Sequence, residues 1–562
     1  MTPEKILSHL DSGQLEAVEA LEGPVCILAG AGTGKTRTIT HRIAFGVSTG
    51  KFDPSNVLAI TFTNKAAAEL RSRLNDLGVK NVTARTFHSA ALAQLKHFWP
   101  EIVGDRFPRL VDAKGPFLAQ AAQKLKIRVD RAVLRDVAAE IEWRKVSGLS
   151  IDEYSKSNRV LPLELDLSRV AEIQFAYEKL KDEARQIDFE DVLLACAGML
   201  ESEPRVAARV RAQYRHFSVD EFQDVSALQV RLLNLWLSDS SEICVVGDVS
   251  QTIYSFAGAD PNYLLKFQQN YPDARVIRLE HDYRSTEQIV VLANKLIAGS
   301  PGALKLVSST KPSTSNTDTP PEFANFSTSA AEAEFVAEKV RSLLESGVSA
   351  SEIAILFRTN FQAAEFESAL ATSGIPYRVL GGLSFFELPE IKQAVMMLKA
   401  SAIAKHPEPL FKTVSDVLRT LGWTQDSPPS GGAVRNKWEN LNTLLRMAEE
   451  LPKGSELKDL IEQLEDHSSS MREPKLASVT LSTIHSAKGL EWDCVFIVGL
   501  REGLLPISVA KSKEAIEEER RLLYVAITRA KSRLILSWSA KTGQSSSAGR
   551  PSRFLESLMK AD

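Results

Sequence analysis

The stretch Ala29-Gly-Ala-Gly-Thr-Gly-Lys-Thr36 constrains this chain more than any other part of it. It follows the short apolar run Val25-Cys-Ile-Leu-Ala29 and precedes a helical pattern that begins near Arg37, the strand–loop–helix context of a phosphate-binding loop. In such a loop Gly30, Gly32 and Gly34 let backbone N–H groups approach phosphate oxygens, with Ala29, Ala31 and Thr33 completing the wrap. Lys35 reaches the β and γ oxygens, and the Thr36 hydroxyl is placed to bind Mg²⁺. Ala29 stands where the strict pattern has glycine. Alone, the loop specifies a nucleoside triphosphate and leaves kinase, GTPase and ATPase open.

A phosphate-binding loop needs a parallel sheet beneath it, and further short apolar runs supply the strands. Val57-Leu-Ala-Ile-Thr61, Phe217-Ser-Val219, Ile243-Cys-Val-Val246, Ile353-Ala-Ile-Leu-Phe357 and Val495-Phe-Ile-Val498 suit buried strands covered by helices on both faces. They cluster before about Arg278 and after about Ala330, which predicts two α/β domains. From Leu95 to Ile187 and from Lys392 to Pro474 the pattern turns helical with no convincing strand, and both stretches read as insertions. The second is broken at Asp426-Ser-Pro-Pro-Ser-Gly-Gly432 and at His467-Ser-Ser-Ser470, while Ser308 to Pro321 holds almost nothing that could be buried and reads as a mobile surface loop. The length of 562 residues leaves room for about three to five domains.

Charge does not advertise a partner: 68 Lys and Arg against 71 Asp and Glu give a net −3. The four cysteines, Cys26, Cys196, Cys244 and Cys494, are too scattered for a zinc site or a disulfide framework and read as buried thiols. The N-terminus lacks the apolar core of a signal peptide, and no apolar run reaches membrane-spanning length. A cytoplasmic protein without a membrane partner is expected.

A second chemical cluster, Val219-Asp220-Glu221-Phe222-Gln223-Asp224, ends a strand. By itself it reads as a solvated acidic turn. Beside a phosphate-binding loop, Asp220 is placed to hold Mg²⁺ and Glu221 to polarise a water for in-line attack on the γ-phosphate. The next strand leads into Gly247-Asp-Val-Ser-Gln251-Thr-Ile-Tyr254-Ser-Phe256, where Gln251 is suited to sense the γ-phosphate. Tyr254 and Phe256 would be core residues in isolation; just beyond Gln251 they are suited to stack on nucleic-acid bases.

Taken in order, these segments resemble the UvrD/Rep/PcrA family of superfamily-one DNA helicases. The match continues through Gln14, Thr61-Phe-Thr-Asn-Lys-Ala-Ala-Ala-Glu69, Thr86-Phe-His88, Leu279-Glu-His-Asp-Tyr283-Arg284-Ser-Thr286, Gly381-Gly-Leu-Ser-Phe-Phe-Glu387, His485-Ser-Ala-Lys-Gly-Leu-Glu491 and Tyr524-Val-Ala-Ile-Thr-Arg529-Ala530. The resemblance implies two RecA-like P-loop domains in an α/β fold, parallel sheets flanked by helices, with two inserted, mainly helical subdomains. Domain 1A would take residues 1–94 and 188–277, 1B 95–187, 2A 278–392 and 475–562, and a reduced 2B 393–474. It implies an ATP site in which Gln14 reads adenine, Arg37 and Tyr283 flank the ring, Gly489 lies alongside and Glu491 accepts from the ribose. Arg284 and Arg529 would act as arginine fingers beside the catalytic Lys35, Asp220, Glu221 and Gln251. Phe62, Asn64, Thr86, His88, Tyr254, Phe256, Arg358 and His485 would contact DNA.

The resemblance further implies ATP and Mg²⁺ as cofactors, single-stranded DNA and single-strand/duplex junctions as partners, 3′ to 5′ movement, a role in repair or replication, and association with a bacterial nucleoid. Phe256 and Ala257 stand where the third motif usually has Trp and Arg, which brings the chain nearer the second UvrD-like group of actinobacteria. The second insertion is short for a domain 2B, and the chain ends soon after Phe554, so no appended nuclease or zinc cluster is expected. Two other functions remain open from sequence: a translocase that displaces proteins with little unwinding, and a P-loop ATPase that remodels proteins without nucleic acid.

Overall fold

The computed structural model describes residues 1–157, 159, 161, 165–310, 319–380, 386, 388–403, 409–425, 432–452, 454–469, 478–541 and 549–559. The chain divides into two units, Met1–Glu280 and His281–Asp562.

In the first unit the strands are β1 (Val25–Ala29), β2 (Val57–Thr61), β3 (Thr83–Thr86), β4 (His216–Val219), β5 (Ile243–Gly247) and β6 (Arg275–Leu279). They pair in the order β3-β2-β4-β5-β1-β6, every pair parallel. The period of two along each strand builds two separate cores. Val25 and Ile27, Val57 and Ala59, and Cys244 and Val246 point into one face with Ile39 and Ile43 of the helix Lys35–Ser48. Cys26, Leu58 and Ile60, and Ile243 and Val245 point into the other, against Leu193, Leu232 and Trp236. That double burial explains why these strands read as continuous apolar runs.

A third core within this unit gathers the helices Lys114–Lys124, Arg131–Val146, Ile151–Ser155 and Leu167–Glu183 around Leu118, Val137, Ile141, Tyr154 and Tyr177. The preceding helix, Phe87–Ile102, belongs to the sheet: its Leu95 and Phe98 pack in the core beneath β2 and β4. The boundaries expected at 94/95 and 277/278 thus fall inside this helix and inside β6. The helical stretch also holds two short strands, Arg109–Leu110 and Gln186–Ile187, paired in parallel. Strands of two residues carry no alternation that could be read in advance.

In the second unit the strands are β7 (Glu322–Thr328), β8 (Ile353–Phe357), β9 (Tyr377–Val379), β10 (Val479–Thr483), β11 (Trp492–Ile497) and β12 (Ala530–Lys541). Their order is β7-β12-β11-β8-β10-β9, again wholly parallel. Ile353, Ile355 and Phe357 of β8 and Cys494 and Phe496 of β11 pack against Val336, Val340 and Phe366. A separate core joins Leu398, Leu418, Leu441, Leu444 and Leu460 from helices between Pro389 and Ser469.

The front of the expected loop is ordered. Val307–Ser308 pairs with His281–Asp282, and the Ser308 hydroxyl donates to Ser285 O at 2.8 Å. Residues 311–318 lie outside the described residues, as do 426–431, 470–477 and the segment Gly381 to Glu387 apart from Phe386. All four cysteines are buried and unbridged, as expected.

Candidate functional site

The C-terminal ends of β1, β4 and β5 carry the phosphate-loop, acidic and glutamine segments of the first unit. After β1, Gly32 and Gly34 take φ of +71° and +82°. A Cβ on Gly34 would lie 2.9 Å from Gln14 Nε2 and force that amide to shift, and the positive φ itself disfavours any side chain there. The loop is internally braced. Thr33 Oγ1 donates to Gly30 O at 2.9 Å, Gln14 Nε2 donates to Thr33 O at 2.9 Å, and Gly30 N–H donates to Leu279 O at 3.2 Å. Gln14 is held by a capping box with Asp11, and Arg37 Nη2 donates to His9 O at 2.9 Å. Lys35 and Thr36 open the helix Lys35–Ser48, whose N-terminal N–H groups favour an anion.

Lys35 Nζ is buried and has no hydrogen-bond partner among the described residues; Glu221 Oε1 is 3.7 Å away. A buried ammonium short of acceptors fits a phosphate oxygen. Asp220 ends the run from β4, its N–H donating to Ile60 O at 2.8 Å. Burial, and then the neighbouring charge of Glu221, push its carboxyl up to about 7. A hard divalent cation would relieve that penalty, and the oxygen donors of Asp220 and Thr36 suit Mg²⁺.

Glu221 stands in the left-handed region at φ +52°, with its N–H donating to Asp220 Oδ1 at 2.9 Å. Its carboxylate accepts from Gln223 Nε2. Gln223 is fully buried, and its Oε1 accepts from Asp248 N–H at 3.0 Å. A Cβ on Gly247 would come 2.5 Å from that same oxygen. Asp248 Oδ2 then accepts from Gln251 Nε2 at 2.7 Å. One polar chain therefore runs Lys35–Glu221–Gln223–Asp248–Gln251 across three strand ends. Gln223 and Asp248 lie inside segments the sequence singled out, yet neither had a role assigned. Their side chains matter through contacts with residues distant in the chain.

The same sheet edge presents aromatic rings. Phe62 is 43% and Phe256 61% exposed, and Tyr254 lies between them. The Phe62 and Tyr254 rings are nearly parallel at 5.5 Å between centroids, and Tyr254 meets Phe256 edge-on at 6.1 Å. Asn64 is exposed at the start of the helix Asn64–Asp76. Thr86 uses its hydroxyl to cap the helix Phe87–Ile102, accepting from Ser89 N–H at 3.1 Å. His88 Nε2 has no hydrogen-bond partner among the described residues, and burial followed by the charge of Lys114 lowers the ring to about 4. His88 is therefore neutral at pH 7 and offers a ring face, not a charge. It stacks at 4.2 Å on Phe189, which is 54% exposed. The sequence reading missed Phe189, because a single Phe opening a helix looks like any core residue.

In the second unit, Tyr283 is 48% exposed, and the Arg284 next to it is held. Arg284 Nε lies 2.6 Å from Glu491 Oε2, and its Nη1 donates to Thr528 O at 3.2 Å. Burial alone would raise the Glu491 carboxyl, but Arg284 and Lys531 outweigh it and hold the group below the usual range. Arg529 is buried at 2% exposure. Its guanidinium donates to Val525 O at 2.9 Å, Leu490 O at 3.1 Å and Thr528 Oγ1 at 3.2 Å. The turn carrying Gly489 takes φ +84°. The structure thus brings Arg284, Glu491 and Arg529 together around Thr528. Arg358 and His485 follow the ends of β8 and β10, which are paired neighbours. Arg358 is ion-paired with Glu519 at 2.7 Å, and burial, then the charges of Arg358 and Lys488, lower His485 to about 4.

Comparison with known proteins gives the family of the chain. The model of the UvrD/REP helicase N-terminal domain matches residues 10–272, and that of the UvrD-like helicase C-terminal domain matches residues 277–425 and 408–541. The ATP-dependent DNA helicase UvrD2 of Mycobacterium tuberculosis (strain H37Rv) is 44% identical, over 99% of this chain and 82% of its own length. The ATP-dependent DNA helicase PcrA of Leuconostoc citreum is 29% identical over 99% of this chain and 86% of its own. PcrA of Staphylococcus aureus (strain Mu50) is 29% identical over 98% and 86%.

Proposed function

Because this chain belongs to the UvrD/REP helicase family and is an ATP-hydrolysing DNA helicase, we propose that it moves 3′ to 5′ along single-stranded DNA and unwinds duplex at junctions during repair or replication. The observation that carries the reading is the shared sheet edge of the first unit. The loop after β5 bears both Gln251, tied to the phosphate pocket, and the half-buried Tyr254 and exposed Phe256. A change at the γ-phosphate is one short loop away from a surface suited to stack on bases.

In this reading Lys35 and the loop Ala29–Thr36 hold the triphosphate, Gln14, Arg37 and Tyr283 surround the adenine, and Gly489 and Glu491 approach the ribose. Thr36 and Asp220 would hold Mg²⁺, which supplies charge neutralisation at the β and γ oxygens. Glu221 accepts the proton of the attacking water, with Gln223 fixing the carboxylate. Arg284 and Arg529 leave their present carbonyl and carboxylate partners to meet the γ-phosphate, a contribution worth about 10³–10⁵ in turnover. DNA lies on Phe62, Asn64, Thr86, His88, Tyr254, Phe256, His485 and the turn that begins at Arg358. The helix groups around Tyr154 and Leu441 serve as subdomains 1B and 2B. No described helix is long and apolar enough to cross a membrane, and work at the nucleoid in the cytoplasm follows from the reading.

Duplexes with a 3′ or a 5′ single-stranded tail test it. Unwinding confined to the 3′-tailed duplex is expected. Equal unwinding of both overturns the direction, and translocation without unwinding of either assigns the chain to protein displacement.

A further inference from the structure

β8 runs out into Arg358, Thr359 and a single 3-10 turn, Asn360–Gln362. Sequence resemblance puts Arg358 on DNA, where its charge would neutralise a phosphate. Its guanidinium is already committed. Nη2 lies 2.7 Å from Glu519 Oε1, and Nε lies 3.1 Å from both carboxylate oxygens. Glu519 is only 5% exposed, and its Oε2 also accepts from Ile507 N–H at 3.0 Å. An arginine neutralised by a buried carboxylate has little uncompensated charge to offer a phosphate, and parting the pair would leave Glu519 buried and unpaired.

The turn is also fixed from below. Gln362 is buried, and its Oε1 accepts from Arg358 N–H at 3.1 Å, Thr359 N–H at 3.0 Å and the Thr359 hydroxyl at 3.1 Å. What this braced turn presents outward is Phe361, 67% exposed. A ring left in water adds nothing to folding, while a rigid mount lowers the entropy lost when something stacks on it. The neighbouring strand end leads to His485, since Ile484 N–H donates to Phe357 O at 2.9 Å. Phe361 therefore shares one edge of the second sheet with a position assigned to DNA.

We infer that Phe361 stacks on a base of single-stranded DNA, and that Arg358 with Glu519 anchors its turn instead of gripping a phosphate. The inference rests on the single-strand motor reading above and names the contact made at this turn. A second class of occupant, an apolar surface of a partner protein, would leave DNA affinity indifferent to the ring.

The test is binding of a fluorescein-labelled oligothymidine by anisotropy across a salt series. The proteins are wild type, Phe361→Ala, Phe361→Trp and the double variant Arg358→Gln with Glu519→Gln, which removes both charges at once. Phe361→Ala should bind roughly 5- to 150-fold more weakly at every salt concentration, the span of one base–aromatic stack, with an unchanged salt slope. Phe361→Trp should restore affinity, and the double variant should keep the wild-type slope. Wild-type affinity in Phe361→Ala would overturn the stacking role. A slope smaller by about 0.7 in the double variant would show that Arg358 neutralises a phosphate and would overturn the anchor. Failure of the wild type itself to bind the oligonucleotide would instead sink the motor reading on which the inference stands.

Discussion

Glu221 holds a left-handed backbone conformation at φ +52°, costly for a residue with a side chain, and Gln223 fixes its carboxylate within reach of Lys35. Such strain is retained where it aims a group, and here it aims the proposed base at the phosphate pocket. Glu221→Gln should keep ATP binding and lower single-turnover hydrolysis by about 10²–10⁴-fold, the range of a general base; rapid-quench assay beside nucleotide titration measures both, and unimpaired hydrolysis removes Glu221 from the role. At this scale the sequence was most readable where chemistry demands consecutive residues, as in Gly30–Thr36 and Asp220–Glu221. It was least readable where a role depends on an approach across the fold. Gln223 works through Glu221 and the Asp248 backbone, Phe189 through the His88 ring, and Arg358 is matched by a glutamate 161 positions away.

The helix Phe189–Ser202 begins at Asp188, whose side chain caps it and also anchors the helices before it. Asp188 Oδ2 accepts from Lys145 at 2.7 Å, Lys181 at 2.9 Å and the Tyr177 hydroxyl at 3.0 Å. Burial alone would raise this carboxyl, but the two lysines outweigh it and keep it well below its ordinary value. Glu178, Asp188 and Asp191 come within 4.8 Å of one another, and the buried ammonium groups of Lys145 and Lys181 with the guanidinium of Arg144 already balance them, so the cluster works as a joint between elements. Asp188→Asn leaves both lysines short of charge and should cost about 3–5 kcal/mol in denaturant unfolding; a loss below about 1 kcal/mol would show that the joint carries no such load. The strands of both sheets were legible as elements because burial on two faces makes them apolar throughout. The Arg109–Leu110 and Gln186–Ile187 pair was not, since its partners are 77 positions apart and each is too short for a pattern. Nor was the start of the first helical insertion, because a helix packed on a sheet and a helix packed on helices share the same periodicity.

Across the whole molecule, a net charge of −3 leaves room for a nucleic-acid surface that is a small part of a large enzyme. The exposed rings Phe62 and Phe256, with the half-buried Tyr254 between them, share a sheet edge with the phosphate pocket, and it is through this placement that ATP turnover is proposed to couple to DNA. The most direct measurement is steady-state ATP hydrolysis by the full chain with and without saturating single-stranded DNA. Turnover should rise at least tenfold with the oligonucleotide; a rate indifferent to DNA would contradict the coupling between the two sites.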